Sequence, residues 1–497
     1  MHRVVLSSFC AVAVLTACAE PPSTPPASTR LAPSFSLVGS SAAPGTGRHI
    51  VSFTSTAPAD FQSRVQALGG TVDWVSSASG LATVSGLSSS AASSLAATSG
   101  IQEVDADAGI PLDLPAVSAA EAVDDAGVAS NANPAGAVRY ARQWNMRAVR
   151  ADSAWAHGFL GSSSVRIYML DTGIDYLHSD LVGRVDLTHS VDLLGSFLVA
   201  DTAGDLHVFT EADTVHKYFP TRAAFTDLFF HGTHTGATVS SNAVRAAGIT
   251  SGTQLVAVKV CAYLNICPFS SILNGVIYAA DSGADVINMS LGGAFAKAGN
   301  GRFAGLIDKV FNYARGKGVL TVVSAGNAHA NLDHDGDVYA SFCDTPAVIC
   351  VAATGPTSDA DGATRNGPWT DIDASAYYTN FGRSSINVAA PGGNSSFGPP
   401  LPSPATRDVF VWAACSQTSL LIGCSSSPNF ILGAQGTSMS APHVTGTAAL
   451  LVSILGRNPG AIKSRIQNTA DDLGAAGTDP FYGKGRLNVA RAVGAIR

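Results

Sequence analysis

Apolar residues recur along this chain with two spacings, and the way these combine divides it into parts. Between Arg48 and Leu112, Ile50-Val51-Ser52-Phe53 alternates like a half-buried strand. Phe61, Val65 and Leu68 in the stretch Ala59 to Leu68 fall on one helical face, which Gly69-Gly70 ends. Thr71 to Val75 and Leu81 to Val84 predict a strand pair, Ser88 to Thr98 an Ala-rich helix closed by Gly100, and Ile101 to Val104 a last strand. The order βαββαβ is the split βαβ, or ferredoxin-like, plan. Asp113 to Arg139 is rich in Ala, Asp, Asn and Pro with no period, and reads as a linker. From about Gln143 onward, continuous apolar runs (Val165 to Leu170, Leu255 to Val260, Val286 to Met289, Val319 to Val323) alternate with helical ones such as Ser271 to Ala280 and Phe303 to Ala314. That alternation predicts an α/β domain with a doubly wound, mainly parallel sheet covered on both faces.

Composition narrows the class. The 497 residues exceed one ordinary domain, and 46% hydrophobic with 13% charged residues describes a globular chain. A net charge of −7 with no Lys/Arg cluster argues against nucleic acid as a partner. Residues 1–18 read as an export leader: His2 and Arg3 precede the apolar run Val4 to Leu15, and Leu15-Thr16-Ala17-Cys18 closes it. That ending resembles the lipobox of bacterial lipoproteins, in which Cys18 would become a lipidated N-terminus. A Pro/Ser-rich tether (19–47) follows, and no later stretch reads as a bilayer span. The chain is therefore expected outside the cytoplasm, extracellular or periplasmic, touching a membrane only through a lipid on Cys18. Export also permits disulfides. Cys261 with Cys267, Cys343 with Cys350 and Cys415 with Cys424 are close pairs, although six cysteines allow fifteen pairings. Zinc is the other reading, but no Cys-x-x-Cys spacing supports it.

In sheets of this kind ligands collect at the carboxyl ends of strands, and the chemistry-bearing residues gather there. Leu170 ends a predicted strand and Asp171-Thr172-Gly173 follows. A carboxylate so placed can set the tautomer and orientation of a histidine, although an Asp before Gly is by itself an ordinary turn. His231-Gly232-Thr233-His234-Thr235-Gly236 opens a helix, and one of its histidines can act as a general base near neutral pH. The two histidines could instead form a metal pair, but helical ligand pairs normally stand four apart with an acid between them, and these do not. Ser324-Ala325-Gly326-Asn327 closes another strand, where an Asn amide can donate to an oxyanion. Ser290-Leu291-Gly292 follows a further strand, with backbone able to pair with an extended peptide. Finally, Gly436-Thr437-Ser438-Met439-Ser440-Ala441-Pro442-His443 is a small-residue turn opening into the apolar helical run Val444 to Leu451. A glycine permits close approach, and a helix start presents amide donors, so Ser438 stands where a nucleophile and an oxyanion site can coincide.

Together these motifs resemble those of the subtilisin family of serine endopeptidases, in the order Asp171, His231, Ser438. The likeness covers about Gln143 to Ala495 and includes Gly485-Arg486-Leu487-Asn488. It implies a subtilisin-like fold and hydrolysis of peptide bonds in proteins through an acyl-enzyme, with no cofactor required for the chemistry. Ser438 would be the nucleophile, His231 the base, Asp171 its orienter and Asn327 an oxyanion donor. Ser290, Leu291 and Gly292 with Ser324, Ala325 and Gly326 would wall the specificity pocket, while His234, His443 and Ser440 would be structural. The unit 48–112 would be an inhibitory propeptide, joined by a linker (113–142) containing the processing site to the peptidase domain (143–497). Its partners would be protein and peptide substrates and its own propeptide, with the chain a monomer. Structural calcium is the one ion the resemblance allows: Asp180 stands at a family ligand position, and Asp333, Asp335 and Asp337 alternate as acids can in an ion loop, the other reading being an ordinary surface carboxylate and an acidic surface turn. Alignment on Pro346 also puts Asp344 near the base of the specificity pocket, where it would favour a basic residue before the cleaved bond. A binding protein on a retired protease fold would lack a triad member or Asn327. An esterase of the α/β-hydrolase type would need a Gly-x-Ser-x-Gly elbow, which Ser438 does not have.

Overall fold

The computed structural model describes residues 46–496 apart from 113–116, 118–120, 124–126, 202–204, 293, 297–300, 335, 337, 341, 360–365, 395–408, 423 and 425–426. The leader, Cys18, most of the tether, Asp335 and Asp337 lie outside the described residues.

The first elements follow the alternation read from the sequence: β1 (Arg48–Phe53), α1 (Phe61–Ala67), β2 (Thr71–Ser76), β3 (Leu81–Ser85), α2 (Ser89–Ala96) and β4 (Ile101–Ala106). They form an antiparallel sheet in the order β2-β3-β1-β4. Val51, Phe53, Phe61, Val65, Val84 and Leu95 make its core, the burial that turns a short amphipathic helix into a stable one. The Ser88 side chain accepts from the Ala91 amide and caps α2.

The stretch without periodicity is not free-standing. Just before it β5 (Gly109–Pro111), and within it β6 (Glu121–Ala122), add to strands of the larger body, and Arg142 holds Glu121 at 2.7 Å. Strands of two or three residues are too short to carry a period, which is why composition alone reads as linker.

The larger body begins with α3 (Trp144–Ala148) and α4 (Ala151–Ala156), then β7 (Arg166–Asp171) and β8 (Val191–Asp192). A hairpin of β9 (Ser196–Ala200) and β10 (Leu206–Thr210) with α5 (Glu211–Tyr218) intervenes before α6 (His231–Val239). There follow β11 (Gln254–Lys259), β12 (Ile266–Pro268), α7 (Phe269–Asp281), β13 (Val286–Met289), β14 (Ala294–Ala296), α8 (Gly301–Gly316), β15 (Leu320–Ser324), β16 (Val338–Ala340) and β17 (Val348–Thr354). After β18 (Ser358–Asp359), β19 (Trp369–Thr370) and β20 (Val388–Pro391) come β21 (Val411–Ala414), β22 (Phe430–Ala434), α9 (Thr437–Leu455), α10 (Pro459–Asn468) and α11 (Val489–Val493).

Seven strands form the central sheet in the order β20-β17-β15-β13-β7-β11-β8, and every pairing in it is parallel. Both faces are buried, as a strand's two-residue repeat requires of a continuous apolar run. Tyr168 and Leu170 of β7 turn toward the α7 and α8 residues Ile272, Val276, Ile307 and Phe311. Ile167 and Met169 turn the other way, toward Val444, Ala448 and Leu451 of α9. Among the described residues α9 is the helix long and apolar enough to cross a membrane, but it is the buried centre of this second face. The cysteines pair as Cys261–Cys267, Cys343–Cys350 and Cys415–Cys424, each closing a local loop.

α9 comes close to the segment after α6 because Gly446 has no side chain: a Cβ there would lie 2.6 Å from Ile249 Cβ and 2.9 Å from its Cγ2. Gly446→Ala is expected to cost about 1–3 kcal/mol by overpacking, measured by urea melts in a Ser438→Ala background. Unchanged stability would show that α9 can withdraw from Ile249.

Candidate active site

Asp171 is the last residue of β7, and His231 the first of α6. The His231 Nδ1–H donates to Asp171 Oδ1 at 2.7 Å, with both side chains fully buried. That carboxylate also accepts from the Thr172 amide at 2.8 Å and from Thr235 Oγ1 at 3.0 Å. α6 can start this close to the strand end because residue 232 is glycine; a Cβ there would run into the Gly173 carbonyl and stand 3.1 Å from Asp171 Cβ. Thr172 Oγ1 accepts from the Gly232 amide at 2.9 Å and donates to Asp227 at 2.9 Å. Asp227 in turn accepts from the amide and hydroxyl of Thr233 at 3.0 and 2.6 Å. Burial pushes the Asp227 carboxyl up to about 6. Sequence reading gave no role to Asp227, Thr172 or Thr235; the sign available for the two threonines was their place inside the motifs that carry Asp171 and His231.

Ser438 is the second residue of α9 and is 3% exposed. Its Oγ donates to the Ser290 carbonyl at 3.1 Å, and Ser290 Oγ donates back to the Ser438 carbonyl at 2.7 Å. The second bond has a local cause. Pro442 has no amide to give the Ser438 carbonyl four residues earlier, so that acceptor is met across the fold by Ser290. Asn288 Nδ2 donates to Ser290 Oγ at 3.1 Å and its Oδ1 accepts from Thr445 at 2.8 Å, tying β13 to α9 a second time. Asn288 also escaped the sequence reading, although a lone polar residue inside Val286 to Met289 was visible.

Asn327 follows β15. Its Oδ1 accepts from the Thr437 amide at 2.8 Å and from Thr437 Oγ1 at 2.9 Å. An amide N–H can only donate, so the atom facing it must be the carbonyl oxygen and Nδ2 lies on the opposite side. Thr437 Oγ1 accepts from the Gly326 amide at 3.0 Å, and Ser324 Oγ donates to the Leu291 carbonyl at 3.3 Å. The stretches 290–292 and 324–327 are thus both bound to the turn carrying Ser438, with Gly292, Gly326 and Asn327 half-buried and the rest buried. Asp344 is half-buried at the end of the 3-10 turn Phe342–Asp344, where burial and then its charge push the Tyr339 phenol up.

The remaining histidines and hydroxyl of these motifs are enclosed. His443 Nδ1–H donates to the Met439 carbonyl at 2.8 Å and Nε2 accepts from Asn145 Nδ2 at 2.9 Å, the pattern of a neutral ring. His234 Nε2–H points between the Val411 and Leu432 carbonyls at 3.2 and 3.1 Å. Burial lowers both to about 4. Ser440 Oγ is buried with no hydrogen-bond partner.

The calcium expectation at Asp180 meets a different environment. Its Oδ1 accepts from the Val244 and Arg245 amides at 2.8 Å each and its Oδ2 from the Ala246 amide at 3.1 Å. Amide hydrogens, not oxygens, surround this carboxylate, and a hard cation needs oxygens. The short stretch 240–250 has folded its own donors onto the acid. Asp333 is likewise wrapped by donors, with Ser384 Oγ at 2.7 Å and Ser385 Oγ at 2.9 Å. Among the described residues no cluster of three metal-ligating side chains occurs.

The chain's own amino-terminal part reaches this site. β5 pairs antiparallel with β12, Ile110 opposite Cys267, and the Phe269 amide donates to the Ala108 carbonyl at 2.9 Å. Asp107 is buried and caps α7, accepting from the Ser270 amide at 2.8 Å and Ser270 Oγ at 2.7 Å. Leu112 is 3% exposed. Beyond it Val117 bridges Ala434 of β22, the strand that leads into Gly436 and Ser438, and Glu121 pairs with Ile431.

Two outcomes check these environments. His443 binds its proton more weakly folded than unfolded, so its contribution to stability is present above about 6.5 and is lost as pH falls toward about 4. In a Ser438→Ala background the stability lost on His443→Gln should therefore shrink by roughly 2–3 kcal/mol across that interval; a constant difference in urea melts would show that His443 does not titrate with folding. Asp180→Ala should cost about 2–4 kcal/mol in chelator-containing buffer through stranded amides. A loss that arises only on adding calcium would make Asp180 an ion ligand.

The sequence model of the subtilase family (Peptidase_S8) matches residues 162–485. Thermitase of Thermoactinomyces vulgaris is 28% identical over 355 residues, 71% of this chain and 96% of that protein. The thermophilic serine proteinase of Bacillus sp. (strain AK1) is 30% identical over 336 residues, 67% of this chain and 62% of that protein. Among solved structures, the epidermin leader peptide processing serine protease (EpiP) of Staphylococcus aureus superposes with a TM-score of 0.66 at 18% identity, covering 90% of this chain and 97% of that one.

Proposed function

The chain belongs to the subtilase family of serine peptidases, and from that membership we propose an exported endopeptidase, made as a zymogen that cuts itself between Leu112 and Val117. Ser438 attacks the peptide carbonyl, its proton passing to His231 Nε2 while Asp171 holds the opposite ring nitrogen and favours the imidazolium. For this the Ser438 hydroxyl turns its hydrogen from the Ser290 carbonyl to His231. The oxyanion is met by the Ser438 amide at the start of α9 and by Asn327 Nδ2, whose orientation Thr437 dictates. His231 then returns the proton to the leaving amine, and water resolves the acyl-enzyme by the same route.

The observation that supports the zymogen reading is the pairing of the described residues that flank 113–116. Gly109–Pro111 add to β12, and Val117 bridges Ala434 of β22, the strand that leads to Ser438, as an extended substrate pairs with an open strand edge. Residues 48–112 then act as the inhibitory propeptide, while Val117 and the following residues stay with the peptidase body. Were Cys18 lipidated, cleavage in this window would leave the lipid on the propeptide and release the enzyme from the envelope.

The test is to express wild type and Ser438→Ala. Wild type should yield a casein-hydrolysing fragment whose N-terminal sequence begins between residues 113 and 117, and Ser438→Ala an intact, inactive precursor. Equal processing of both ends the assignment of Ser438. A mature enzyme still continuous with Cys18 in washed membranes contradicts the release.

A further inference from the structure

None of the residues around Ser438 lines a cavity of ≈ 180 Å³ that opens beside α3 and β19. Cavities of about 150 Å³ hold one benzene-sized ring. Its apolar walls are Trp144, Ala148, Ile372 and the ring of Trp369, and its polar lining is three arginines, Arg147, Arg150 and Arg486. The charges are unequally answered. Arg486 is clamped by Asp373 at 2.7 Å and by Asp471, but its Nε–H is buried without a partner and the residue is only 8% exposed. Arg147 lies over the Trp369 ring at 4.9 Å and the Tyr140 ring at 5.8 Å, and spends one N–H on the Ala141 carbonyl at 2.7 Å. Among the described residues neither Arg147 nor Arg150 meets an acid. A half-enclosed space with aromatic walls, two cations lacking counter-ions and a stranded donor is complementary to one chemistry, an anion carried on a flat apolar body.

We propose that this cavity is a binding site for a carboxylate attached to a single ring-sized apolar group. The carboxylate meets Arg147 and Arg150, and reaches the Arg486 Nε–H, while the apolar group lies between Trp144, Ile372 and Trp369. Such a group is presented by the C-terminal residue of a peptide and by a free aromatic acid. The site is separate from the cleft and stands whether or not the self-processing reading above is correct.

The experiment titrates N-acetyl-L-phenylalanine, phenylacetate and N-acetyl-L-phenylalanine amide into full-length Ser438→Ala, reading heat and tryptophan fluorescence. Both acids should saturate, with the amide weaker by about tenfold or more. Tighter binding of N-acetyl-L-phenylalanine identifies the peptide terminus as the source, and tighter binding of phenylacetate the free acid. Arg147→Gln with Arg150→Gln, and separately Trp369→Leu, should each weaken the acids by about tenfold or more while circular dichroism stays unchanged. The proposal is overturned by no saturation up to about 10 mM acid, by an amide that binds as tightly, or by binding that survives these substitutions.

Discussion

The reciprocal pair between Ser438 and Ser290 is the contact on which the rest of the catalytic arrangement depends. A proline six residues into a helix leaves one carbonyl without its usual donor. In this protein the deprived carbonyl belongs to Ser438, the proposed nucleophile, and its replacement donor comes from Ser290 just after β13. Helix α9 is consequently registered against β13 by hydrogen bonds, where apolar packing alone would allow it to slide. Asn288 and Thr445 repeat the connection two turns further along α9. Thr437 and Asn327 make a third connection, to β15. Three short polar bridges therefore locate one serine relative to two strands.

Elsewhere the interior handles charge in the same economical way. Asp171, Asp180 and Asp227 are all fully buried, and each is surrounded by backbone amides and hydroxyls before any cation. Donors of this kind stabilise a carboxylate without bringing a second ion out of water. Only Asp171 of the three receives an imidazole N–H. Burial keeps the His234 and His443 rings neutral against the opposing pull of their carbonyl partners, which leaves His231 as the motif histidine joined to a carboxylate.

The amino-terminal sheet and the peptidase body meet through complementary loose ends. α7 begins with unmet amides, and Asp107 supplies the acceptor. β12 has an open edge, and β5 covers it. An edge able to accept the chain's own strand is equally able to accept a substrate's. In the zymogen proposed above, the same backbone groups serve inhibition and recognition, separated only by whether the covering strand is still attached.

Much of this was legible in the residues themselves. The period-two and period-3.6 patterns located the βαββαβ unit and β7, β11, β13 and β15 nearly to the residue, because each buries an unmistakable apolar face. Asp171, His231, Asn327 and Ser438 could be singled out because each stands where an apolar run stops beside small residues. What sequence could not decide were relations across the fold. The stretch after Leu112 carries no period, and only the open edge of β22 turns its described residues Val117, Glu121 and Ala122 into strand. Asp180 has the same identity whatever faces it, and only the path of residues 240–250 brings three amide hydrogens onto its carboxylate. Asn288 and Ser290 acquire their roles from a carbonyl that a proline left open 148 positions later in the chain. Local pattern determines which groups are buried and where strands end; partners distant in sequence are assigned only when the chain has closed on itself.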